Sequence, residues 1–195
     1  MLELKIKMKK AAFILNFFKS WREVGSITPS SSFLTKRILA EIDFKKSSTI
    51  VELGPGSGPF TKEIIKRMSP NSKLIMFETN TDFYKELIKV RDPRVVIHNE
   101  SALQMQNYLS GERVDYIVSG IPLSNLEVSH QKGLLRSIYS ALLPKGRYLQ
   151  FQYSLGAYKM IEGIFNDVSL RFVPLNIPPA FVYSCSKGPI AIKIN

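Results

Sequence analysis

Thr49-Ile50-Val51-Glu52-Leu53-Gly54-Pro55-Gly56-Ser57-Gly58-Pro59-Phe60-Thr61 is the stretch that decides the fold of this 195-residue chain. A short β-rich run feeds an acidic residue and then three alternating glycines. Thr61 to Met68 then reads as a helix, with Ile64, Ile65 and Met68 set among Lys62, Glu63, Lys66 and Arg67. Glycines serve two needs at such a turn. The chain must swing sharply from strand to helix, and a ligand must approach the backbone without meeting a Cβ. An ordinary strand-helix loop is the plain alternative; a nucleoside-bearing cofactor is the functional one.

The next strand favours the cofactor. Lys73-Leu74-Ile75-Met76-Phe77 ends in Glu78, about 20 positions beyond the glycines, where a Rossmann-type site accepts bonds from ribose hydroxyls. Pro59 stands where G-x-G-x-x-G would place its third glycine, which disfavours NAD. No G-x-x-x-x-G-K-[ST] occurs, which argues against a phosphate-cradling P-loop. The glycine turn with Glu78 resembles instead the S-adenosylmethionine site of class I methyltransferases.

Length suits one domain with a single substantial core. Hydrophobic content of 45% and charged content of 22% are ordinary for a globular chain. The net charge of +11 is not, and it implies an anionic partner, nucleic acid or membrane surface, unless it only maintains solubility. Position favours the membrane. The first 22 residues hold Lys5, Lys7, Lys9, Lys10, Lys19 and Arg22 against Glu3 alone. Ile14, Phe17, Phe18 and Trp21 share one helical face, so residues 1–23 are expected to form a basic amphipathic helix at a membrane interface, with packing onto the domain as the alternative. The run Ala11 to Phe18 is short, broken by Asn16 and without a cleavage site, so it does not read as a signal peptide. No run of 18 apolar residues exists to span a bilayer. A lone cysteine, Cys185, suits a reducing cytosol, and His98 and His130 lack partners at metal-ligand spacing, so no metal is expected.

The order of elements extends the reading. A turn-rich linker, Val24 to Pro29, precedes a helix from about Phe33 to Ile42 capped by Ser30 to Ser32. Strands are expected to end at Leu53 and Phe77, then at Arg94–His98, Val114–Val118 and Arg147–Tyr153, with helices Thr81–Val90 and Ser129–Leu143 between them. Alternation of this kind predicts a parallel sheet with right-handed crossovers. Ser169–Leu175 and Phe181–Ser186 are separated by only Asn176 to Ala180, too few residues for a crossover helix, so they must pair antiparallel. The expected fold is therefore α/β, a seven-stranded Rossmann-like methyltransferase sheet of five parallel strands closed by an antiparallel hairpin. Residues 24–195 form this domain.

Ligands of an open parallel sheet bind beyond the carboxyl ends of its strands. Gly54, Gly56 and Gly58 would face the methionine part of the cofactor, with Glu52 helping to hold its ammonium. Glu78 would take the ribose, and Ser101 and Ala102 would lie beside the adenine. Ser119 and Pro122 would flank the reacting methyl, and Gln152 and Tyr153 would line the acceptor pocket. Asn176 and Pro178 would face them from the hairpin turn. Tyr153 could equally be a core aromatic.

Val24-Gly25-Ser26-Ile27-Thr28-Pro29-Ser30-Ser31, the glycine stretch, Ser119-Gly120-Ile121-Pro122-Leu123, Gln150-Phe151-Gln152-Tyr153 and Asn176-Ile177-Pro178-Pro179-Ala180 together resemble bacterial phospholipid N-methyltransferases, with ornithine-lipid N-methyltransferases as close kin. The resemblance implies methylation of a lipid amine, phosphatidylethanolamine or ornithine lipid, by a peripheral enzyme on the cytoplasmic face of the inner membrane. A monomer is the default expectation. Both groups are similar to rRNA adenine dimethylases, whose N-L-P-[YF] motif is replaced here by Ser119-Gly120-Ile121-Pro122-Leu123. Without the aromatic, a flipped adenine loses its stacking platform, which disfavours nucleic acid. Ser101 also departs from the Asp that many class I enzymes place beside the adenine amine. RNA adenine N-methylation is the alternative activity.

Overall fold

The computed structural model describes residues 29–176 and 178–188; the expected helix over 1–23 lies outside them. Strands β1 (Thr49–Leu53), β2 (Lys73–Phe77), β3 (Val95–His98), β4 (Val114–Ser119), β5 (Leu142–Gln152), β6 (Asp167–Val173) and β7 (Ala180–Ser186) form one sheet. Its order is β3-β2-β1-β4-β5-β7-β6. The first five strands pair in parallel, and β7 runs antiparallel between β5 and β6. This is the expected fold class.

Both faces of the sheet are covered, which is why β1 is buried along its whole length. Its side chains alternate between two cores. Val51 and Leu53 pack with Leu134, Leu135 and Ile138 of helix α5 (Val128–Ala141), together with Met105 and Leu109 of α4 (Met105–Leu109) and Ile161 of α6 (Tyr158–Glu162). Ile50 faces the other way, toward Leu34 and Ile38 of α1 (Pro29–Leu39) and Ile64 of α2 (Pro59–Arg67). Helix α3 (Thr81–Leu87) follows β2, and its first turn is capped by Asn80, whose side chain accepts bonds from Asp82 and Phe83 N–H.

Three boundaries differ from expectation, each for a backbone reason. Helix α1 starts at Pro29, inside the expected linker, because proline's fixed φ suits a first helical turn. Strand β5 begins at Leu142, not Arg147. Leu142 pairs with Val114 across an irregularity between Val114 and Tyr116, so Pro144-Lys145-Gly146 is absorbed into the strand instead of ending a helix. Strand β6 lies two residues earlier than Ser169–Leu175, because Asp167 pairs with Ser186 and Pro174 has no N–H to extend the ladder past Val173. The short helices α4 and α6 and two 3₁₀ turns, Ala102–Gln104 and Leu123–Asn125, had no periodic signal long enough to read.

The chain runs outward from β1 through β2 to β3, then returns to place β4 on the other side of β1. The loops after β1 and β4 therefore diverge and open a crevice at the carboxyl edge. At the opposite edge Asp115 Oδ2 accepts bonds from Ser48 and Thr49 N–H at 2.8 and 2.9 Å, fixing β4 against the entry to β1.

Candidate active site

The turn after β1 is built from left-handed residues. Gly54, Gly56 and Gly58 have φ of 66°, 57° and 79°, a region in which a Cβ is strained. Space separates their roles. A Cβ on Gly54 would sit 2.8 Å from Ile121 Cγ1, whereas one on Gly56 would meet nothing within 4 Å. Gly54 is thus required by the loop after β4. Gly56 leaves an open approach to its backbone.

Glu78 joins this turn to β2. Its Oε2 accepts a bond from Gly56 N–H at 3.0 Å and its Oε1 one from Asn80 N–H at 2.7 Å. A carboxylate has about four acceptor positions, so two remain for a ligand. Glu52 lies beneath the turn and does not line the cavity. It is fully buried, its Oε2 accepts from Thr61 Oγ1 at 2.8 Å, and its Oε1 has no partner among the described residues. Burial pushes its carboxyl up to about 8, against the lowering bond from Thr61.

Ser101 and Ala102 line the cavity beyond β3, but the Ser101 hydroxyl is turned to cap its own 3₁₀ turn by accepting from Leu103 N–H at 3.3 Å. After β4, Pro122 lines the cavity, while Ser119 is buried and accepts from Ile121 N–H at 3.2 Å. Two buried amides of β5 converge on the same loop: Gln150 Nε2 donates to Ile121 O at 2.5 Å and Gln152 Nε2 reaches it at 3.5 Å. Gln152 therefore holds the loop. Thr61, Gly120 and Gln150 lie within stretches quoted from the sequence, but their contacts with Glu52, Gly54 and Ile121 were not legible there, because each partner is reached only in the fold.

Tyr153 stands one ring away from the cavity. It packs edge-on against Phe151, which lines the cavity, with centroids 5.6 Å apart. Its hydroxyl meets the Asn176 side chain, and burial pushes its pKa up to about 12. Asn176 is buried and donates through Nδ2 to Pro178 O at 2.6 Å. These three are brought together, but as a wall behind the cavity.

Of the expected cofactor residues, Gly54, Gly56, Glu78, Ser101 and Ala102 line a cavity of about 500 Å³, within the range usual for small-ligand sites. Phe77, Phe83 and Leu103 add apolar lining; their apolar type gave no sign of which faced a ligand. The combination fits an adenosyl group with an attached amino acid. Apolar walls suit a purine, Glu78 retains acceptor positions for hydroxyls, the Gly56 approach is open, and the orphaned Glu52 Oε1 is an acceptor poised beneath the turn. Among the described residues no cluster of His, Cys, Asp or Glu could hold a metal.

Comparison with known proteins agrees. The family model for ribosomal RNA adenine dimethylase matches residues 28–132. The chain is 30% identical over 179 residues to an ornithine lipid N-methyltransferase of Singulisphaera acidiphila, covering 89% of this chain and 93% of that protein. Its fold is similar to a Burkholderia thailandensis 1,6-didemethyltoxoflavin-N1-methyltransferase solved with S-adenosylhomocysteine (TM-score 0.66, 15% identity, 92% and 88% of the two chains). It is also similar to the N-methyltransferase NodS of Bradyrhizobium japonicum (TM-score 0.64, 13% identity, 83% and 89%). The chain belongs to the ribosomal RNA adenine dimethylase family of class I S-adenosylmethionine-dependent methyltransferases, close to the ornithine lipid N-methyltransferases. It is a methyltransferase, and S-adenosylmethionine is its cofactor.

Proposed function

We propose that this methyltransferase acts on the head-group amine of a membrane lipid, phosphatidylethanolamine or an ornithine lipid, as a monomer resting on an anionic cytoplasmic membrane face. The observation that carries this reading is similarity to an ornithine lipid N-methyltransferase along nearly its whole length. The loop after β4 supports it. A Cβ on Gly120 would lie 2.8 Å from Gly54 O, so the Asn of the adenine dimethylase motif has no room there, and Leu123, in place of the aromatic, is fully buried. RNA adenine methylation is the second reading, favoured by the family model over residues 28–132.

S-adenosylmethionine, when bound, supplies a sulfonium methyl for in-line transfer to an amine lone pair. The glycine turn and Glu78 would hold and orient the cofactor, Glu52 would brace that turn from below through Thr61, and Ser101 and Ala102 would border its adenine. Ser119 would act through its bond to Ile121, Pro122 would flank the methyl, and Gln152 would position that loop. Asn176 and Pro178 would fix Tyr153. Orientation is the chief source of rate, worth ~7–11 kcal/mol in well-aligned cases. With its pKa raised to about 12, Tyr153 stays neutral at physiological pH and is a poor proton acceptor. That leaves desolvation in the apolar cavity to favour the free amine, and gives Tyr153 the role of backing Phe151, whose ring lines the cavity.

The test is methyl transfer from labelled S-adenosylmethionine to vesicles of phosphatidylethanolamine or ornithine lipid, with RNA alongside. Label in a lipid fraction resolved by head group is expected. Label in RNA alone would replace the lipid reading with the second.

A further inference from the structure

We propose that the apolar rim formed after β5 and at the β6–β7 turn docks on an anionic lipid surface, so that the acceptor end of the site faces the head groups. Leu155, Phe172 and Leu175 are 47%, 57% and 69% exposed. Topology puts them at one edge. Gln152 pairs with Phe181 and Val173 with Ala180, so the segment leaving β5 and the turn joining β6 to β7 emerge from the same end of the sheet. It is also the end at which β1 and β4 open the cavity, since Ser119 at the tip of β4 pairs with Leu53 on one side and Gln150 on the other. Phe172 packs on Phe181 with centroids 5.1 Å apart, which widens the apolar ledge. Tyr153 and Asn176, in contact with each other, lie directly behind it.

Charge selects the occupant. From Val128 to the end of the chain there are eight Lys and Arg against only Glu162 and Asp167, and no acid follows Asp167. The rim segments themselves, residues 153–157 and 172–179, contain no acid, since Glu162 ends α6 and Asp167 opens β6 at the other end of the sheet. Lys159 is exposed beside it, and Arg171, adjacent to Phe172, has its charge met by Glu41 at 3.0 Å. Three exposed side chains are far too few for a stable protein interface, which buries roughly 1,200–2,000 Å². They do suit shallow insertion at a bilayer interface, where apolar burial adds to electrostatic attraction.

The inference rests on the lipid reading of the function, yet docking is measurable without methyl transfer. The full chain is compared with Phe172→Ser/Leu175→Ser and with Leu155→Ser/Leu175→Ser. The second pair avoids the Phe172–Phe181 contact, so it keeps the test open if the first variant misfolds. Sedimentation with phosphatidylglycerol/phosphatidylethanolamine vesicles is expected to show partitioning weakened ~tenfold or more in both variants. Calorimetric affinity for S-adenosylmethionine and the thermal midpoint are expected to stay the same. Methylation of vesicle lipid should fall with partitioning, while methylation of a short-chain monomeric aminolipid should not. Weakened partitioning with no lipid methylation in any form would sink the functional reading and leave the docking surface standing. Unchanged partitioning in both pairs, or a change confined to self-association by light scattering, would overturn the docking surface itself.

Discussion

Glu52 keeps its proton at neutral pH because burial penalises its charge, and two consequences follow at the level of this one residue. With a folded-state pKa near 8 against an ordinary 4.5, the stability that a neutral Glu52 contributes to the cofactor-free protein is fully present below about pH 4.5. That stability is lost as pH rises through 8, at up to about 1.4 kcal/mol per pH unit inside the window. Glu52→Gln should flatten this dependence in urea melts taken between pH 5 and 8; an unchanged slope would show that another group sets it. Because Glu52 lies beneath the turn and outside the cavity, S-adenosylmethionine affinity should not follow its titration between pH 5 and 8. Calorimetry across that range gives the answer, and an affinity that rises toward pH 8 would place the ammonium against Glu52 after all. Tyr153 yields a separate expectation. Tyr153→Phe keeps the ring and should retain most activity at saturating cofactor, whereas Tyr153→Ala should lose the edge-on packing that holds Phe151 in the cavity wall, worth ~0.5–1.5 kcal/mol. Equal damage in both would restore the hydroxyl as a proton acceptor, with effects on the order of 10²–10⁴ in rate.

At the level of elements, the loop after β4 is the part most tightly specified by its surroundings. The Gly54 carbonyl excludes a side chain on Gly120, Ile121 excludes one on Gly54, and Gln150 and Gln152 hold the Ile121 carbonyl. Gly120→Asn should push this loop off the glycine turn and weaken S-adenosylmethionine binding by ~1–3 kcal/mol, without creating activity on RNA. Measurable RNA methylation by the variant would instead show that one residue separates the two activities. The glycine turn and Glu78 were legible in the sequence because their spacing along the chain is itself the signal. The bonds between them were not, since Glu78 reaches Gly56 only once β1 and β2 lie side by side. For the same reason Glu52 reads as a ligand-facing acid in the sequence but lies under the turn in the fold.

Across the whole molecule the net charge of +11 acts as a field. Vesicle binding should fall steeply with salt, because charges farther apart than about 8 Å are screened at physiological ionic strength. Removing residues 1–19 takes away five lysines, each worth on the order of 1 kcal/mol near an anionic surface. That truncation should reduce binding to anionic vesicles strongly while S-adenosylmethionine affinity is kept. Equal binding by the truncated and full chains would place the membrane contact wholly on the domain. No helix among the described residues is long and apolar enough to cross a membrane.

By itself the sequence determined the class of fold, the glycine turn and the closing hairpin. Each depends on local spacing: strand and helix periods, glycines at alternate positions, and a five-residue link too short for a crossover. Tertiary structure alone decided which side chains line the cavity. It placed Tyr153 one ring behind the cavity, gave Gln150 and Gln152 a shared backbone acceptor, and left Glu52 Oε1 buried without a partner. These facts follow from strand order and register, which bring together residues some 30 to 70 positions apart. No spacing along the chain encodes such a distance, because it is fixed only when both faces of the sheet are packed.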